Sequence, residues 1–430
     1  MSVRRGSKPL PAPFPAMGGK STVADLIWSR VGSVRNFISA NHDGRQELYT
    51  LDYREPFGNS LAVMLANPDY DWLNGRWLVD PPPLETVNDA DPFISNFWRS
   101  LQQEPDAVAY YADYPVQEAD LTARHAWLVS QGETWFADRM FDDPDFYDTK
   151  IAGWWVWGAC MWIGSGWCSL SYSRHSGRTK DGGVEQKRPV LGHGGKGVHR
   201  TSLRDTSHLK KQRPILADTG RGVNRQSLRE QRPILSSRGM GIHKGQIPYL
   251  SGHGQGIASR QHRENLTDYF ERLADRLRFV RTVCGDWERV SSPSTTYLNN
   301  CVRGKDAITV WIFDPPYGPE AERTEGLYAV DDLEVAAKVR EWCFKEVEDK
   351  KAKFLGPRCY HPRFRIVLCG YEDEHIDHIP DDWEMVAWAP NGGYGNRGGN
   401  NVNKGKERIW FSPNCLRPAE IETAVQGQLI

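Results

Sequence analysis

The sequence has 430 residues, of which 25% are charged and 39% hydrophobic. This composition predicts a soluble globular protein with one large domain or two to three ordinary ones. The N-terminal residues contain no apolar signal-peptide core, and the most apolar stretch, 151–163, spans about 13 residues, too few to cross a bilayer. The eight cysteines form no Cys-x-x-Cys pair and no zinc-finger spacing, so we expect a reducing, cytoplasmic protein without a metal site.

The first part of the chain alternates predicted helices and strands. We predict a helix followed by a turn within 20–38, a strand near 53–57, a helix over 61–66 and a second strand that ends at 86–89. This alternation predicts an α/β fold with a parallel, doubly wound sheet. Residues 91–171 then read as helical. Their aromatic residues at helical spacing are interpreted as a packed core: Phe97, Trp98, Trp154, Trp155 and Trp162.

A basic, glycine-rich stretch follows the helical part. The net charge of the chain is −1, but residues 174–263 hold 19 Lys or Arg against 5 Asp or Glu, a local charge of +14 that leaves −15 elsewhere. A basic block in an otherwise acidic protein indicates that the protein binds a polyanion, and nucleic acid is the first candidate. A solvated loop is the alternative.

The same stretch contains a short repeat. Pro-x-Leu-x-x-x-Gly-x-Gly starts at Pro189, Pro214, Pro233 and Pro248, and this irregular spacing excludes a stacked solenoid. Tyr249 is the only aromatic residue of 174–263, so the stretch can bury little core of its own. We predict a flexible arm that orders on DNA.

Regular structure resumes at residue 264. Apolar residues at helical spacing predict a helix over 266–277, and a second helix is predicted over 331–344. The predicted strands cover 280–283, 308–313, 365–369 and 407–411. A loop rich in Gly and Asn, 391–405, precedes the last strand. Two interpretations of this loop stay open: it contacts phosphate, or it is simply mobile.

Asp314, Pro315, Pro316 and Tyr317 directly follow the predicted strand 308–313. Ligands of open α/β sheets bind at this end of the strands. An exocyclic amine is a poor nucleophile because its lone pair is delocalised into the ring. The Asp314 carboxylate and the Pro315 carbonyl can accept its two N–H bonds and free that lone pair, while the prolines stiffen the turn. Tyr317 offers an aromatic face to a base rotated out of a duplex. The alternative is that these residues form a proline-rich turn after the strand and have no catalytic role.

Three further motifs precede this one: Gly18-Gly19-Lys20, Glu55-Pro56-Phe57 and Asn88-Asp89. With these motifs in this order, the chain resembles the Dam-type (D12 class) DNA adenine methylases, particularly the larger prophage-encoded members, over residues 14–172 and 264–412. The resemblance implies a Rossmann-like, S-adenosylmethionine-dependent methyltransferase that modifies N6 of adenine in double-stranded DNA. It also implies base flipping and direct in-line transfer, with no need for a metal.

The resemblance assigns a role to each motif. Asp314, Pro315, Pro316 and Tyr317 would form the catalytic motif. The other residues would bind the cofactor: Gly18, Gly19 and Lys20 near its methionine end, Glu55, Pro56 and Phe57 along its pocket, and Asp89 at its ribose. Two positions depart from the family pattern. Asn59, preceded by Gly58, stands where the family carries glycine, and Ala16-Met17 replaces an aromatic residue.

Each lesser motif also has a structural alternative. Glu55-Pro56-Phe57 could be an ordinary strand end, and Asp89 could cap a helix. Gly19-Lys20-Ser21-Thr22 resembles the end of a phosphate-binding P-loop, but Phe14 stands where that motif requires glycine, which excludes an NTPase.

We therefore expect a catalytic domain built from residues 10–91 and 264–425. Between its halves we expect a helical target-recognition region, 92–172, and the basic glycine-rich arm, 173–263. A phage or restriction-modification setting fits such an enzyme. Two alternatives stay open: an amino-methyltransferase acting on cytosine N4 or on RNA, and a DNA-binding protein that keeps the fold without the activity. Asp314 argues against the cytosine enzymes, which tend to carry Ser there.

Overall fold

A computed structural model of the protein describes residues 9–15, 19–33, 51–80, 82–115, 117–162, 167–168, 266–292, 308–317, 334–350, 352–388 and 406–417. The strands are β1 (Leu51–Glu55), β2 (Tyr70–Asp71), β3 (Arg76–Trp77), β4 (Leu84–Asp89), β5 (Arg281–Cys284), β6 (Ile308–Phe313), β7 (Glu346–Asp349), β8 (Phe354–Pro357), β9 (Phe364–Tyr371), β10 (Glu384–Ala387) and β11 (Glu407–Phe411). Seven of them form one sheet in the order β10-β11-β9-β6-β1-β4-β5.

The sheet is mostly parallel. β9, β6, β1, β4 and β5 run in the same direction, and β11 is antiparallel to both of its neighbours. The two small hairpins, β2–β3 and β7–β8, lie outside this sheet. The structure thus confirms the predicted α/β class, and its strand order is compatible with a Rossmann-like fold.

The helices are α1 (Ala24–Val31), α2 (Ala62–Leu65), α3 (Pro92–Gln103), α4 (Pro105–Ala112), α5 (Glu118–Gln131), α6 (Ala137–Asp142), α7 (Thr149–Met161), α8 (Leu266–Leu277), α9 (Glu288–Ser291), α10 (Val335–Phe344) and α11 (Glu372–His375). A π-helical turn, Gly132–Phe136, joins α5 to α6, and 3₁₀ turns cover Lys20–Thr22, Arg358–Tyr360 and Ile376–His378.

Strand β6 shows why the sheet is covered on both faces. Its side chains alternate between two apolar clusters, because successive residues of a strand point to opposite faces. Trp311 and Phe313 pack in one cluster with Trp342 of α10. Val310 and Ile312 belong to the other, larger cluster, which includes residues of α1, α3, α7 and α8. A central parallel strand buried in this way is nearly all apolar, as the sequence of β6 is.

The aromatic residues of the helical part pack as predicted. Phe97 of α3 is fully buried, and its ring lies 4.8 Å from Trp98 and 6.0 Å from Phe270 of α8. Trp155 of α7 packs edge-on against Phe14, with ring centroids 4.9 Å apart. Helices α3, α7 and α8 therefore share one apolar core with the sheet.

Several predicted boundaries are wrong. The segment 20–38, predicted as a helix followed by a turn, begins with a 3₁₀ turn at Lys20–Thr22, and α1 starts only at Ala24 and ends at Val31, where Gly32 adopts a φ of 76°. The predicted strand 53–57 lies two residues earlier, at Leu51–Glu55. Strand β10 and the two hairpins were not predicted, because their strands are only two to four residues long and lack a run of buried apolar residues. The repeats of 173–263 and the loop 391–405 lie outside the described residues.

The chain order creates a crevice between β1 and β6. From β1 the chain proceeds outward to β4 and β5, and it then returns to the other side of β1 to form β6 and β9. β1 and β6 pair in parallel, with Arg54 opposite Trp311, so the residues that follow both strands meet at one edge. Ligands of open α/β sheets bind at such a switch point.

Candidate active site

Asp314 leaves β6 at this crevice and forms an ion pair with Lys20. The Lys20 Nζ lies 2.8 Å from Asp314 Oδ1 and 2.9 Å from Oδ2. Lys20 is 4% exposed, whereas Asp314 is 26% exposed. Burial disfavours the charged ammonium and is the largest single effect, but the surrounding acidic groups, Asp314 first and Glu407 among them, together outweigh burial and hold the pKa of Lys20 above its ordinary value. The Nζ also lies 5.1 Å from the ring centroid of Trp388.

Glu55 lies at the carboxyl end of β1, on the other side of the crevice. The Tyr53 hydroxyl donates a hydrogen bond to Glu55 Oε2 at 2.8 Å. Burial raises the pKa of Glu55 to about 8, and the nearby Asp314 carboxylate acts in the same direction. The structure therefore brings Glu55 and Asp314 into one electrostatic site, in which Glu55 is protonated at neutral pH.

Pro56 and Phe57 continue from Glu55 into the turn after β1. The Pro56 carbonyl accepts a hydrogen bond from Asn88 Nδ2 at 3.0 Å. The half-buried Phe57 ring stacks on Trp287, with centroids 6.3 Å apart. Asn88 also donates to the Gly285 carbonyl at 2.9 Å, so one side chain joins the ends of β1, β4 and β5.

Asp89 holds the same turn from the end of β4. Its Oδ2 accepts from the Asn59 amide at 2.9 Å, and its Oδ1 accepts from the Asp91 amide at 2.8 Å. The interpretation of Asp89 as a helix cap is wrong, because Asp91 caps α3 by accepting from the Phe93 amide. Burial raises the pKa of Asp89 to about 6, against the effect of both amide bonds.

The two unusual positions of the turn have distinct reasons. Asn59 adopts a φ of 42°, in the left-handed region that Asn tolerates better than other side-chain residues do. Gly58 is required by space, because a Cβ there would lie 2.9 Å from Leu61 Cδ2 and 3.3 Å from the Asn88 carbonyl oxygen. Asn59 and Leu61, which has a φ of 55°, are thus both left-handed in this turn, and Gly58 is the position where the backbone is closely approached.

A small, partly open pocket lies beside this turn. Its polar lining includes Asn59, Asn88 and Asp89, and its apolar lining includes Trp98 and Val283. Asn88 Oδ1 is buried and has no hydrogen-bond partner among the described residues. The cavity therefore presents carboxylate and amide acceptors, which suit a ligand that carries hydroxyl or amine donors.

Tyr317 is buried next to the crevice. Its hydroxyl donates to Glu407 Oε1 at 2.5 Å. Its ring stacks on Tyr371, with centroids 4.1 Å apart and an interplanar angle of 22°. One face of the Tyr317 ring is thus occupied by Tyr371, and the side chain as a whole is only 7% exposed. Pro315 is buried and Pro316 half-buried in the same irregular segment.

The site residues predicted from the sequence fall into two neighbouring groups. Lys20, Glu55 and Asp314 meet at the crevice, and Asp89 lies at the cavity on the far side of the Pro56–Phe57 turn. Gly19 immediately precedes the Lys20–Thr22 turn, whereas Gly18, Ala16 and Met17 lie outside the described residues.

Sequence reasoning missed two groups of site residues. The first comprises Glu407 and Tyr371, which surround Tyr317. The signal in the sequence was a lone glutamate at the start of an apolar strand, which becomes informative only when the strand direction is known. The second is Trp388, which contacts Lys20 and follows the unpredicted strand β10.

The chain matches no known protein-family model, and no curated protein is significantly similar to it. Within the described ranges, no helix is long and apolar enough to cross a membrane. Over the same residues, no cluster of His, Cys, Asp or Glu side chains is arranged to hold a metal ion.

Proposed function

We propose that the protein is a site-specific DNA adenine methyltransferase that uses S-adenosylmethionine to methylate N6 of adenine. The observation that carries the proposal is the position of Asp314-Pro315-Pro316-Tyr317. The motif directly follows the buried central strand β6 at the switch point of the sheet, and its carboxylate stays partly exposed while Lys20 holds both oxygens. This is where an acceptor for a substrate amine is needed.

In the proposed reaction, Asp314 and the Pro315 carbonyl accept the two N–H bonds of the adenine amine and direct its lone pair. S-adenosylmethionine, when bound, would supply the methyl group on a sulfonium: the amine attacks the methyl carbon in line, the carbon–sulfur bond breaks to leave S-adenosylhomocysteine, and the methylated amine loses one proton to solvent. The protein contributes orientation and electrostatic stabilisation, with no covalent enzyme intermediate. Lys20 keeps the Asp314 carboxylate in a fixed orientation through two contacts.

The cavity beside the turn after β1 fits one end of the cofactor. Asp89 and the unpartnered Asn88 Oδ1 are acceptors for ribose hydroxyls or for the adenine amine of S-adenosylmethionine. Gly19, Lys20 and the Glu55–Phe57 segment would hold the remainder toward the crevice.

The charge distribution supports double-stranded DNA as the partner and the arm as its main contact. Residues 92–172 hold 4 Lys or Arg against 11 Asp or Glu, a local charge of −7, whereas residues 174–263 have a local charge of +14. In this proposal the basic arm therefore neutralises the DNA phosphates. The helical region contacts the bases and recognises the shape of the DNA. A cytoplasmic location, in a bacterial or phage context, follows from this proposal.

The decisive experiment incubates the purified protein with S-adenosylmethionine and unmethylated plasmid and then analyses the nucleosides by mass spectrometry. We expect N6-methyladenine with the wild type and none with Asp314→Ala. N4-methylcytosine, or product formed on RNA alone, would select the other amino-methyltransferases. A protein that binds DNA but yields no modified base and no cofactor binding would be an inactive relative.

A further inference from the structure

The helical region 92–172 contains only four Lys or Arg, and two of them are used in internal contacts. Arg99 donates to three backbone carbonyls, at 3.2, 3.3 and 3.4 Å. Arg139 forms an ion pair at 3.4 Å with an acid one turn away. The other two, Arg124 of α5 and Lys150 of α7, have neither an ion pair nor a side-chain hydrogen bond among the described residues.

These two cations lie over one cluster of aromatic rings, the aromatic platform, which comprises Tyr114, Trp127, Trp154 and Trp157. Arg124 Cζ lies 3.9 Å from the centroid of the Tyr114 ring and 4.6 Å from that of Trp157. Trp154 contacts both cations, because its centroid lies 5.0 Å from Arg124 Cζ and 4.5 Å from Lys150 Nζ. The two positive charges are therefore no more than about 10 Å apart, a distance that covers about three phosphates of one DNA strand.

The platform is fixed before any ligand binds. Trp157 is fully buried, and its Nε1 donates to the Tyr114 carbonyl at 2.9 Å. The rings of Trp127 and Trp154 pack edge-on, with centroids 5.1 Å apart. Cations that stack on such rings are held in place by the ring quadrupoles, so less side-chain freedom is lost when they bind a ligand.

The donors of both cations reach solvent. Of the three guanidinium nitrogens of Arg124 only Nη1 is buried, and Lys150 Nζ is not buried. Each residue as a whole is half-buried. Arg and Lys side chains carry N–H donors and no acceptor, so the two residues together offer positive charge and donors to a ligand at the surface.

The local charges indicate that this ligand is an anion. Residues 92–172 hold 11 Asp or Glu, yet neither cation forms an ion pair with one of them in the part of the chain that the structure describes. Asp120, four residues before Arg124, acts on its guanidinium electrostatically without such a contact. Arg124 Nη1 is buried without a partner, which is unfavourable, whereas packing on the platform needs only an apolar side chain. Packing alone therefore does not explain the charges.

We propose that Arg124 and Lys150 contact the sugar–phosphate backbone of double-stranded DNA and thereby fix the position of the helical region on the duplex. Phosphate contacts of this kind set the register of a protein on DNA and carry no sequence information themselves. The inference rests on the proposed function for the identity of the anion. It gives the helical region phosphate contacts of its own, in addition to those of the basic arm.

The test measures binding of a mixed-sequence DNA duplex to the full-length protein at several salt concentrations. We expect Arg124→Gln and Lys150→Gln each to lower the slope of log K against log salt concentration by about 0.9, and the double variant to lower it by about 1.8. The double variant should bind about 10-fold more weakly at low salt, and a fourfold rise in salt should nearly abolish the difference.

Two control variants separate charge from packing. Arg139→Gln removes a cation that also lies over a ring, at 4.8 Å from the Phe146 centroid, but that is already paired and 57% exposed. Its slope should equal that of wild type. Arg124→Lys keeps the charge over the platform and should keep the slope, even where it lowers the affinity. If Arg124→Gln fails to fold, Lys150→Gln and Arg124→Lys still carry the test.

The outcomes distinguish this inference from the proposed function. Wild-type slopes in Arg124→Gln and Lys150→Gln overturn the phosphate contact, and N6-methyladenine formed by the wild type would then leave the methyltransferase proposal standing. A loss of affinity with an unchanged slope, confined to certain duplex sequences, also overturns the contact, because it indicates base recognition. A wild type that shows the expected slopes but forms no methylated base overturns the methyltransferase proposal and supports the contact.

Discussion

Lys20 and Asp314 lie 294 positions apart in the chain, yet Lys20 Nζ lies 2.8 Å from Asp314 Oδ1 and 2.9 Å from Oδ2. The two residues belong to motifs with different predicted roles, one at the cofactor and one in catalysis. Their ion pair makes the segment around Lys20 part of the candidate active site. Because Lys20 is 4% exposed and Asp314 26%, the lysine anchors the pair from inside and the carboxylate faces outward.

Replacing Lys20 by methionine keeps the side-chain length and removes its charge. We expect Lys20→Met to lower kcat by about 100-fold, the usual effect of removing one preorganised electrostatic contact. The loss in unfolding free energy should be only about 1–3 kcal/mol, because the exposed part of Asp314 can be hydrated. The measurements are plasmid methylation and urea unfolding.

The matched control is Lys338→Met. Lys338 pairs with Glu334 on the surface at 3.4 Å and is 44% exposed, so this variant removes the same charge without touching the site. Surface pairs contribute little, and both activity and stability should stay close to wild type. Full activity in Lys20→Met would remove the lysine from the catalytic centre.

Asp89 and Asp91 are two neighbouring acids with separate roles, which makes them a matched pair. Asp89→Ala removes an acceptor from the cavity and the support of the Asn59 amide, so we expect the affinity for S-adenosylmethionine to fall at least about 10-fold. Asp91→Asn keeps a good helix cap on α3 and should change affinity by less than about 2-fold. Calorimetric titration measures both, and equal losses would assign the effect to α3 rather than to the cavity.

The strongest local patterns predicted the elements that build the site. Strand β6 and the Asp314–Tyr317 segment were predicted together, because a run of buried apolar residues ends there in two prolines. Helix α8 and strand β11 also have the predicted bounds, Leu266–Leu277 and Glu407–Phe411. A regular spacing of apolar residues and the prolines or glycines that end an element are both local features of the sequence. They can therefore be recognised without a structure.

Relationships between distant residues were not predictable in this way. The Lys20–Asp314 pair depends on the sheet order, and the Glu407–Tyr317 bond depends on the reversal of β11. Neither property has a local sequence signal. The conformation of Asn59 is similar, because the left-handed φ is imposed by its contacts with Asp89 and Trp98.

Substitutions in the turn after β1 distinguish two effects on stability: a steric clash at Gly58 and backbone strain at Asn59. Gly58→Ala forces a Cβ against Leu61 and the Asn88 carbonyl, and we expect a loss of about 1–3 kcal/mol in unfolding free energy. Asn59→Gly should be tolerated, whereas Asn59→Ala should lose about 1 kcal/mol because alanine disfavours the left-handed region. Urea unfolding of the three variants tests this, and a tolerated Gly58→Ala with a damaging Asn59→Gly would reverse the assignment.

The basic arm predicts the salt dependence of DNA binding. Residues 185–260 contain 15 Lys or Arg, and each phosphate contact adds about 0.9 to the slope of log K against log salt concentration. Replacing 185–260 by a Gly/Ser linker of equal length should therefore flatten the slope by several units. Binding isotherms at four salt concentrations measure it. An unchanged slope would identify the stretch as a solvated loop and leave the phosphate contacts to other residues.

Glu55 predicts a pH dependence of stability with a defined sign. Burial raises its pKa from an ordinary 4.5 to about 8. Between these two values the folded protein keeps a proton that the unfolded chain has released, so the contribution of Glu55 to stability is present below pH 4.5 and is lost as the pH rises through 8. Relative to wild type, Glu55→Gln should become progressively more stable over this window, by up to about 1 kcal/mol per pH unit.

Urea unfolding of wild type and Glu55→Gln at pH 5, about 6.5 and about 8 measures this difference. Glu348→Gln is the control, because Glu348 is 61% exposed in the β7–β8 hairpin, outside the main sheet, and the same substitution there changes no buried carboxyl group. Parallel curves for wild type and Glu55→Gln would show that Glu55 is ionised in the folded protein. The crevice would then hold two carboxylates, Glu55 and Asp314, against the single ammonium of Lys20. In that arrangement Asp314 would have to share its counter-ion, and the loss of activity in Lys20→Met should exceed the value expected for one contact.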